Sequence, residues 1–598
     1  AYATLAVRGS NPNQVNFFID GIPLTNAASG EVNLSDLNLN AFDRIEVYRS
    51  GNYPGSAIGG SVNLVSREAP GERGAEIRST FGSFGTFGVG ADVYGGETLR
   101  YTVSAKGETS NQDFKFRNDN GTPVINNFDD FDDTRKNAWY KDYFLTLRLG
   151  FPVGDTRIGI LNDSVFRRNG VPGPTPAQSE KTERRFFRNT TGLSSDTKGL
   201  GFEWLQLETR AYYTELRERF LDPRREFASN QPNSRARLQQ YGAHLEPTLH
   251  LLDYYQTLRL YLAAERETYG QERRDRFDQF IVNVPGKFRS QYTGRLEDEI
   301  EFFDERVVIT PAVEAKRYVD RFNEPENNRL NENLGQGHRS TLEYSNYRVG
   351  ALVVPYRCEI IEAYLKAGAD SGRRAPLFLE LFGEQGSIVG NSDLRPERSE
   401  NVEGGPGMRL RYAEHTAELE VIAYRRIVED MILFVPNSQF TLRPENVDAA
   451  DIRGLEFSAR LDLFSHIRAN ISYTYQSAIN QSDVSFLRGR YLPLRPLHEF
   501  AGVLSYYSDR FEVGGEGVFV GASFRDRTNE PTAFVGSRWI FHLFANYTIF
   551  QDCAEGKCGS QKLEAGLEIR NLMDERVTDV SGFPLPGRAV YGVLSYRF

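Results

Sequence analysis

The segment Ala589-Val-Tyr-Gly-Val-Leu-Ser-Tyr-Arg-Phe598 limits the fold more than any other part of the sequence. Val590, Leu594, Tyr596 and Phe598 share one parity, and Tyr591, Ser595 and Arg597 share the other. A period of two sends alternate side chains to opposite faces of a strand. One face here is apolar and ends in aromatics; the other is mostly polar. A strand of that kind fits a wall with lipid on one side and a polar lumen on the other, as in a transmembrane β-barrel.

The same alternation recurs from about residue 74 onward. Over Asp451–Phe464, Leu455, Phe457, Ala459, Leu461 and Leu463 face one way, and Glu456, Ser458, Arg460 and Asp462 the other. Slipping the register by one residue would put Arg460 into lipid, at about 2–4 kcal/mol near the midplane. Leu258, Leu260, Leu262 and Ala264 repeat the pattern, as do Leu205, Leu207, Thr209 and Ala211. Phe541, Leu543, Ala545, Tyr547 and Ile549 repeat it again. Counting such segments back from Phe598 gives about 22 strands, an even number as single-chain bacterial barrels have. Short connections (Gly150–Thr156, Tyr507–Arg510, Asp552–Gly559) alternate with long ones (Asn111–Lys136, Asn323–Arg339, Phe382–Ser399, Gln481–Arg495, Met573–Arg588). In such barrels the short turns face the periplasm, which puts the C-terminus there too. The expected fold is all-β, an antiparallel barrel over 71–598.

Composition alone would mislead. The mean hydropathy of −0.49 suits a soluble protein. No run of 18 apolar residues exists, which excludes a transmembrane helix but not a barrel. The net charge of −10 argues against nucleic acid as a partner. No nucleophile–base–acid set stands out, so no catalytic residues are assigned and the expected function is not enzymatic. The glycines at 82, 85, 88 and 90 lie in a strand pattern with no following helix, so they form no dinucleotide loop and instead relieve crowding.

Residues 1–70 read differently, as short β runs between Gly- and Asn-rich turns. A wide barrel is normally plugged, and this segment is the natural plug. Its residues carry a resemblance. Val7-Arg-Gly-Ser10, Phe18-Ile-Asp-Gly-Ile-Pro-Leu24, Phe42-Asp-Arg-Ile-Glu-Val-Tyr-Arg49 and Ala57-Ile-Gly-Gly-Ser-Val-Asn-Leu64 resemble the plug of TonB-dependent outer-membrane receptors. Further along, Arg374-Ala-Pro376, Glu380-Leu-Phe382, Gly390-Asn-Ser-Asp-Leu-Arg-Pro-Glu397, Asp451-Ile-Arg-Gly-Leu-Glu456, Leu494-Arg-Pro496, Arg570-Asn-Leu572 and Pro586-Gly-Arg588 resemble its barrel motifs in order. Arg49-Ser-Gly-Asn-Tyr-Pro-Gly-Ser56 departs from the family pattern. The loop lengths look most like the cobalamin and colicin-receptor branch.

The resemblance implies energy-dependent import across a bacterial outer membrane. The expected partners are the TonB complex, a scarce small-molecule nutrient (cobalamin-like or a ferric siderophore), outer-membrane lipid and lipopolysaccharide. The family's TonB box lies ahead of Val7, in a segment this sequence does not contain. Either that segment lies outside this sequence, or the protein lacks TonB coupling and serves as an adhesin or an envelope-complex subunit.

Leu24, Thr25, Asn26, Asn52 and Tyr53 are the candidate ligand contacts, since the resemblance puts them at the plug apex. The alternative for them is ordinary turn chemistry. No cofactor is required. Asp119, Asp129, Asp130, Asp132 and Asp133 form an acidic loop that suits Ca²⁺, against the alternative of a solvated loop. Cys553 and Cys558 flank four residues and are expected to form a disulfide in an oxidising periplasm. Cys358 is left over, expected to be buried or lipid-facing. Arg373, Arg374, Arg184, Arg185 and Arg188 suit an anionic ligand or pairing with acidic neighbours; pairing is the expected outcome.

Overall fold

The computed structural model describes residues 3–49, 57–68, 72–120, 129–227, 233–252, 255–274, 280–322, 339–382, 390–436, 442–554, 557–580 and 582–598. Among the described residues, 22 antiparallel strands close into one barrel. The first barrel strand, Gly74–Gly82, pairs with the last, Ala589–Arg597, from Tyr591 against Gly82 to Arg597 against Glu76. Gly82 makes this seam possible, because a Cβ there would lie 2.1 Å from the Tyr591 ring. The room that glycines 82, 88 and 90 provide goes to lumenal side chains on neighbouring strands, Tyr591, Glu108 and Lys106.

The expected facing of the strands is the observed one. Val590, Leu594, Tyr596 and Phe598 are all exposed on the outer wall, as are Leu262, Leu455 and Leu543. Glu456, of the opposite parity, reaches inward to the plug. Short turns gather at one rim, as between Val153 and Thr156 or Tyr412 and His415. Longer described connections, as from Gly170 to Glu183 or from Asn480 to His498, leave from the other rim.

Inside lies a four-stranded sheet of β1 (Asn16–Ile19), β2 (Ile22–Pro23), β3 (Phe42–Tyr48) and β4 (Ser61–Ser66), in the order β2-β1-β4-β3. Asp20 and Gly21 form the two-residue turn from β1 to β2, both with positive φ, at 47° and 77°. Asp-Gly is the dipeptide such a turn selects. Phe17, Ile19, Ile22, Val62 and Leu64 build the plug core and pack against Leu161 and Tyr212 of the wall. Gly59 lies under Ser10, where a Cβ would come within 2.5 Å of the hydroxyl, and Gly60 has φ +97°. The Gly-Gly pair of the plug motif therefore serves a close backbone approach.

Candidate functional site

The plug apex is the turn from Leu24 to Gly30. Leu24 is buried in the plug core and does not reach the lumen. Asn26 Oδ1 accepts the amides of Ala28 (2.9 Å) and Ser29 (3.2 Å), and the Asn26 carbonyl accepts from Gly30 (3.0 Å). Its acceptors hold the turn together, so turn chemistry accounts for this asparagine. Thr25 and Asn26 line a cavity described below. Asn52 and Tyr53 lie outside the described residues.

A segment from the long-loop rim is bonded onto this turn. Phe378 opens a short helix, Phe378–Phe382, and donates its amide to the Ala27 carbonyl (2.7 Å). Leu379 donates to Ala28 (3.2 Å). Phe378 is fully buried against Ala27, Leu238 and Tyr269. The Arg374-Ala-Pro376 motif explains how the segment is held. Arg374 bonds both oxygens of Glu380 (3.0 and 2.9 Å) and Glu397 (2.7 Å). Glu380 also accepts the Leu377 amide, and Glu397 accepts Gln14 of the plug (2.9 Å) and the Ile432 amide (2.7 Å). Buried charges persist only when paired and hydrogen-bonded, and this triad meets that condition. Residues far apart in the family motifs thus become one joint between loop, wall and plug.

A second joint grips the start of the plug. Arg8 forms a two-pronged bond to Glu456 (3.0 and 2.9 Å), pairs with Glu403 and lies over the Tyr424 ring at 4.6 Å. Burial pulls against the charge on Arg8, but the two glutamates outweigh it and hold the guanidinium above its ordinary value. Arg49 adds a bond to Glu456 (3.0 Å). Arg426 donates to the Val7 and Arg8 carbonyls, and Arg495 to those of Gly9 (2.8 Å) and Ser10 (2.6 Å). Burial pushes Arg495 down to about 10, which leaves it charged at neutral pH.

Beside these joints, a cavity of about 140 Å³ separates the plug from the wall. Glu265, Glu267, Gln240, Arg289 and Lys316 line it from the wall side. Glu267 accepts the Ala27 amide at 2.6 Å, and Glu265 accepts the Tyr212 hydroxyl at 2.8 Å. Sequence reading missed both glutamates, although their Glu-x-Glu spacing on a strand puts them on one face.

The remaining candidates divide. The five loop carboxylates are mostly engaged singly. Asp119 accepts from Thr175, Asp133 from Asn118 and Gln178, and Arg117 lies near Asp130 and Asp132. One oxygen each of Asp129 and Asp130 is buried without a partner. Among the described residues no three acidic, histidine or cysteine side chains group to hold a metal. Residues 121–128 of the same loop lie outside the described ones, and Ca²⁺ here stays an expectation. Cys553 and Cys558 are direct register partners across a hairpin, with their side chains outside the description. Cys358 sits exposed at a short turn rather than buried. Arg184 pairs with Glu218, Arg185 with Glu183 and Arg188 with Asp163, so these arginines are taken by acidic neighbours.

The fold and the two joints define a plugged outer-membrane receptor barrel. Residues 110–572 match the family described as "TonB dependent receptor-like, beta-barrel", and residues 1–61 match "TonB-dependent Receptor Plug Domain". The chain belongs to the TonB-dependent receptor family. Its members are outer-membrane receptors and transporters, and the family implies TonB and a small-molecule nutrient as partners. The vitamin B12 transporter BtuB of Photobacterium profundum is 22% identical over 613 residues, spanning 99% of this chain and 86% of that protein. That of Vibrio vulnificus is 21% identical over 618 residues, spanning 100% and 86%. Among solved structures, the copper transporter OprC superposes with a TM-score of 0.78 at 17% identity, over 100% of this chain and 94% of that one. The unliganded ferric citrate transporter FecA gives 0.76 at 15%, over 100% and 90%. At such identities the structures show a shared fold.

Proposed function

We propose that this receptor imports a cobalamin-like nutrient by energy-dependent transport, taking it up at the long-loop rim above the plug apex. The observation that carries the reading is the bonded link between rim and plug: the Phe378 and Leu379 amides on the Ala27 and Ala28 carbonyls, fixed by the Arg374–Glu380–Glu397 triad. A ligand that shifts the 375–382 segment acts directly on the plug through it. The match over nearly the whole chain to vitamin B12 transporters favours cobalamin over a ferric siderophore. In this reading the short turns and the C-terminus face the periplasm, where TonB engages the plug. Nothing observed favours a non-transporting scaffold.

The test is equilibrium binding of cyanocobalamin and a panel of ferric siderophores to the purified receptor, followed by uptake in cells with and without TonB. Saturable cobalamin binding and TonB-dependent uptake support the reading. Binding of a siderophore alone moves the ligand class, and uptake independent of TonB ends the transport mechanism.

A further inference from the structure

The outer wall carries a row of like charges. On five consecutive strands, from Tyr140–Val153 to Asn233–Leu251, Lys141, Arg168, Arg185, Arg219 and Arg235 lie side by side in register. They share the parity of Tyr143, Phe166, Tyr213 and Tyr241, all exposed on the outer wall. They stand at the rim from which the Gly170–Glu183 connection leaves. Arg217 and Arg237 face each other in the next row down, with Arg217 over the Phe187 ring at 5.9 Å. Like charges directly opposite one another destabilise a sheet. The carboxylates on this part of the face are too few to answer them. Glu183 serves both Arg168 and Arg185 (2.6 Å each), and Glu215 serves both Arg217 (2.9 Å) and Arg237 (2.7 Å). Glu272, opposite Arg235 at the end of the row, also bonds Arg274 at 3.1 Å. Among the described residues here, seven cations in two rows meet three carboxylates.

Two hollows lie on the same face. One, of about 500 Å³, sits among these arginines and the Phe166 and Phe187 rings. The other is a groove of about 1110 Å³ lower on the wall. Ala211, Ala243 and Ala264 lie side by side along it, with Gly294 and Ala315 on the strands beyond. Their small side chains leave the space, while Leu262 and Tyr292 project beside it. Ala211 and Ala243 lie six residues below Arg217 and Arg237 on their own strands. At about 3.4 Å per residue that is roughly 20 Å along the strand. An exposed ion pair, Arg317–Glu343 at 3.2 Å, stands on the last two strands of the groove.

We propose that this face binds lipopolysaccharide by its bisphosphorylated glycolipid anchor, with the phosphates on the arginine rows and acyl chains in the groove of small residues. Guanidinium forks match phosphate oxygens two at a time. With strands about 4.8 Å apart, the upper row stretches over about 19 Å, more than one phosphate spans. A sugar headgroup with two phosphates answers that length, and a phospholipid with one does not. The groove crosses several strands and so takes more than one chain. The site rests on the proposed function for one point, that the long-loop rim faces outward, where the outer leaflet lies.

The test is native mass spectrometry of the full receptor, stripped of lipid in detergent and titrated with bisphosphorylated lipid A, monophosphoryl lipid A or phosphatidylglycerol. The expected result is one saturable lipid A per receptor, with the other two lipids at least tenfold weaker. Arg219→Gln/Arg235→Gln weakens lipid A at least tenfold, and Ala243→Leu, which fills the groove, severalfold. Arg453→Gln removes an exposed arginine from a distant strand, Leu442–Leu463, and leaves binding unchanged. Heat-modifiable mobility on gels reports that each variant is folded. No saturable adduct, equal binding of the three lipids, or an unchanged titration in the double variant overturns the proposal. So does an equal loss in Arg453→Gln, which would make the effect one of overall charge. Cobalamin binding measured on the same proteins separates failure of this site from failure of the import reading.

Discussion

The plug is held differently in two of the places where it meets the wall. On the flank of Glu403, Glu456, Arg426 and Arg495, Arg8 is ion-paired to both glutamates and plug carbonyls are directly bonded. On the flank of Glu265 and Glu267, one amide bond and a polar cavity replace that density of contact. The difference implies an order of release. A pull on the plug is expected to part the cavity flank before the paired one.

Arg8→Ala tests this most severely. It takes the Arg8 cation from Glu403 and leaves Glu456 with Arg49 alone, a loss of about 3–5 kcal/mol. The plug should then unfold from the barrel at much lower denaturant, read by protease access to residues 3–49. If Glu267→Gln has an equal effect, the flanks are equivalent and the order of release fails.

Leu455→Arg comes next. It lies beside Glu456, well inside the strand and exposed on the outer wall, and it puts charge into lipid at about 2–4 kcal/mol. Barrel assembly should fall sharply, measured as the heat-modifiable fraction in membranes. Asp462→Ala, which removes an exposed pair with Arg468, should cost about 0–1 kcal/mol. Equal losses would mean that the strand faces the other way and that the paired flank is misassigned.

Glu267→Gln replaces a charged acceptor of the Ala27 amide by a neutral one, and about 1 kcal/mol of plug retention should go with it.

Between the flanks, β3 carries a smaller, pH-dependent contribution. Burial raises the Glu46 carboxyl, but Asn63, Arg44 and Tyr48 outweigh it and hold the group below its ordinary 4.5. A depressed carboxylate stabilises the fold above its unfolded value and loses that stabilisation as pH falls through its folded value. Protection factors along β3 and β4, corrected for the intrinsic exchange rate, should therefore fall below about pH 4.5, and Glu46→Gln should remove the dependence. Neither flank should respond to the Cys553–Cys558 pair. Alkylation without reduction should leave both thiols unmodified, by intact mass, with plug retention unchanged.

The outer wall is legible in the sequence because lipid imposes one simple rule on every second residue, as Val590 to Phe598 illustrate. The inner wall is not. Arg8 and Glu456 lie 448 residues apart, and nothing local in either marks the other. The motifs point to the right residues, but their role as a joint appears only once loop, wall and plug are brought together. Asn26 offers hydrogen-bonding groups on paper, yet the turn it sits in consumes its acceptors. Glu265 and Glu267 escape notice because the apolar half of their strand carries the stronger pattern.

The seam between Gly74–Gly82 and Ala589–Arg597 has a consequence for biogenesis. These strands are separated by more than 500 residues, as the Arg597–Glu76 pair at 3.1 Å spans 521. Until the second is made, the growing sheet has two open edges, which are templates for wrong partners. Contacts so distant in sequence form late. The barrel can therefore close only once the whole chain is present, and a chain cut short before Ala589 has a sheet with nowhere to close.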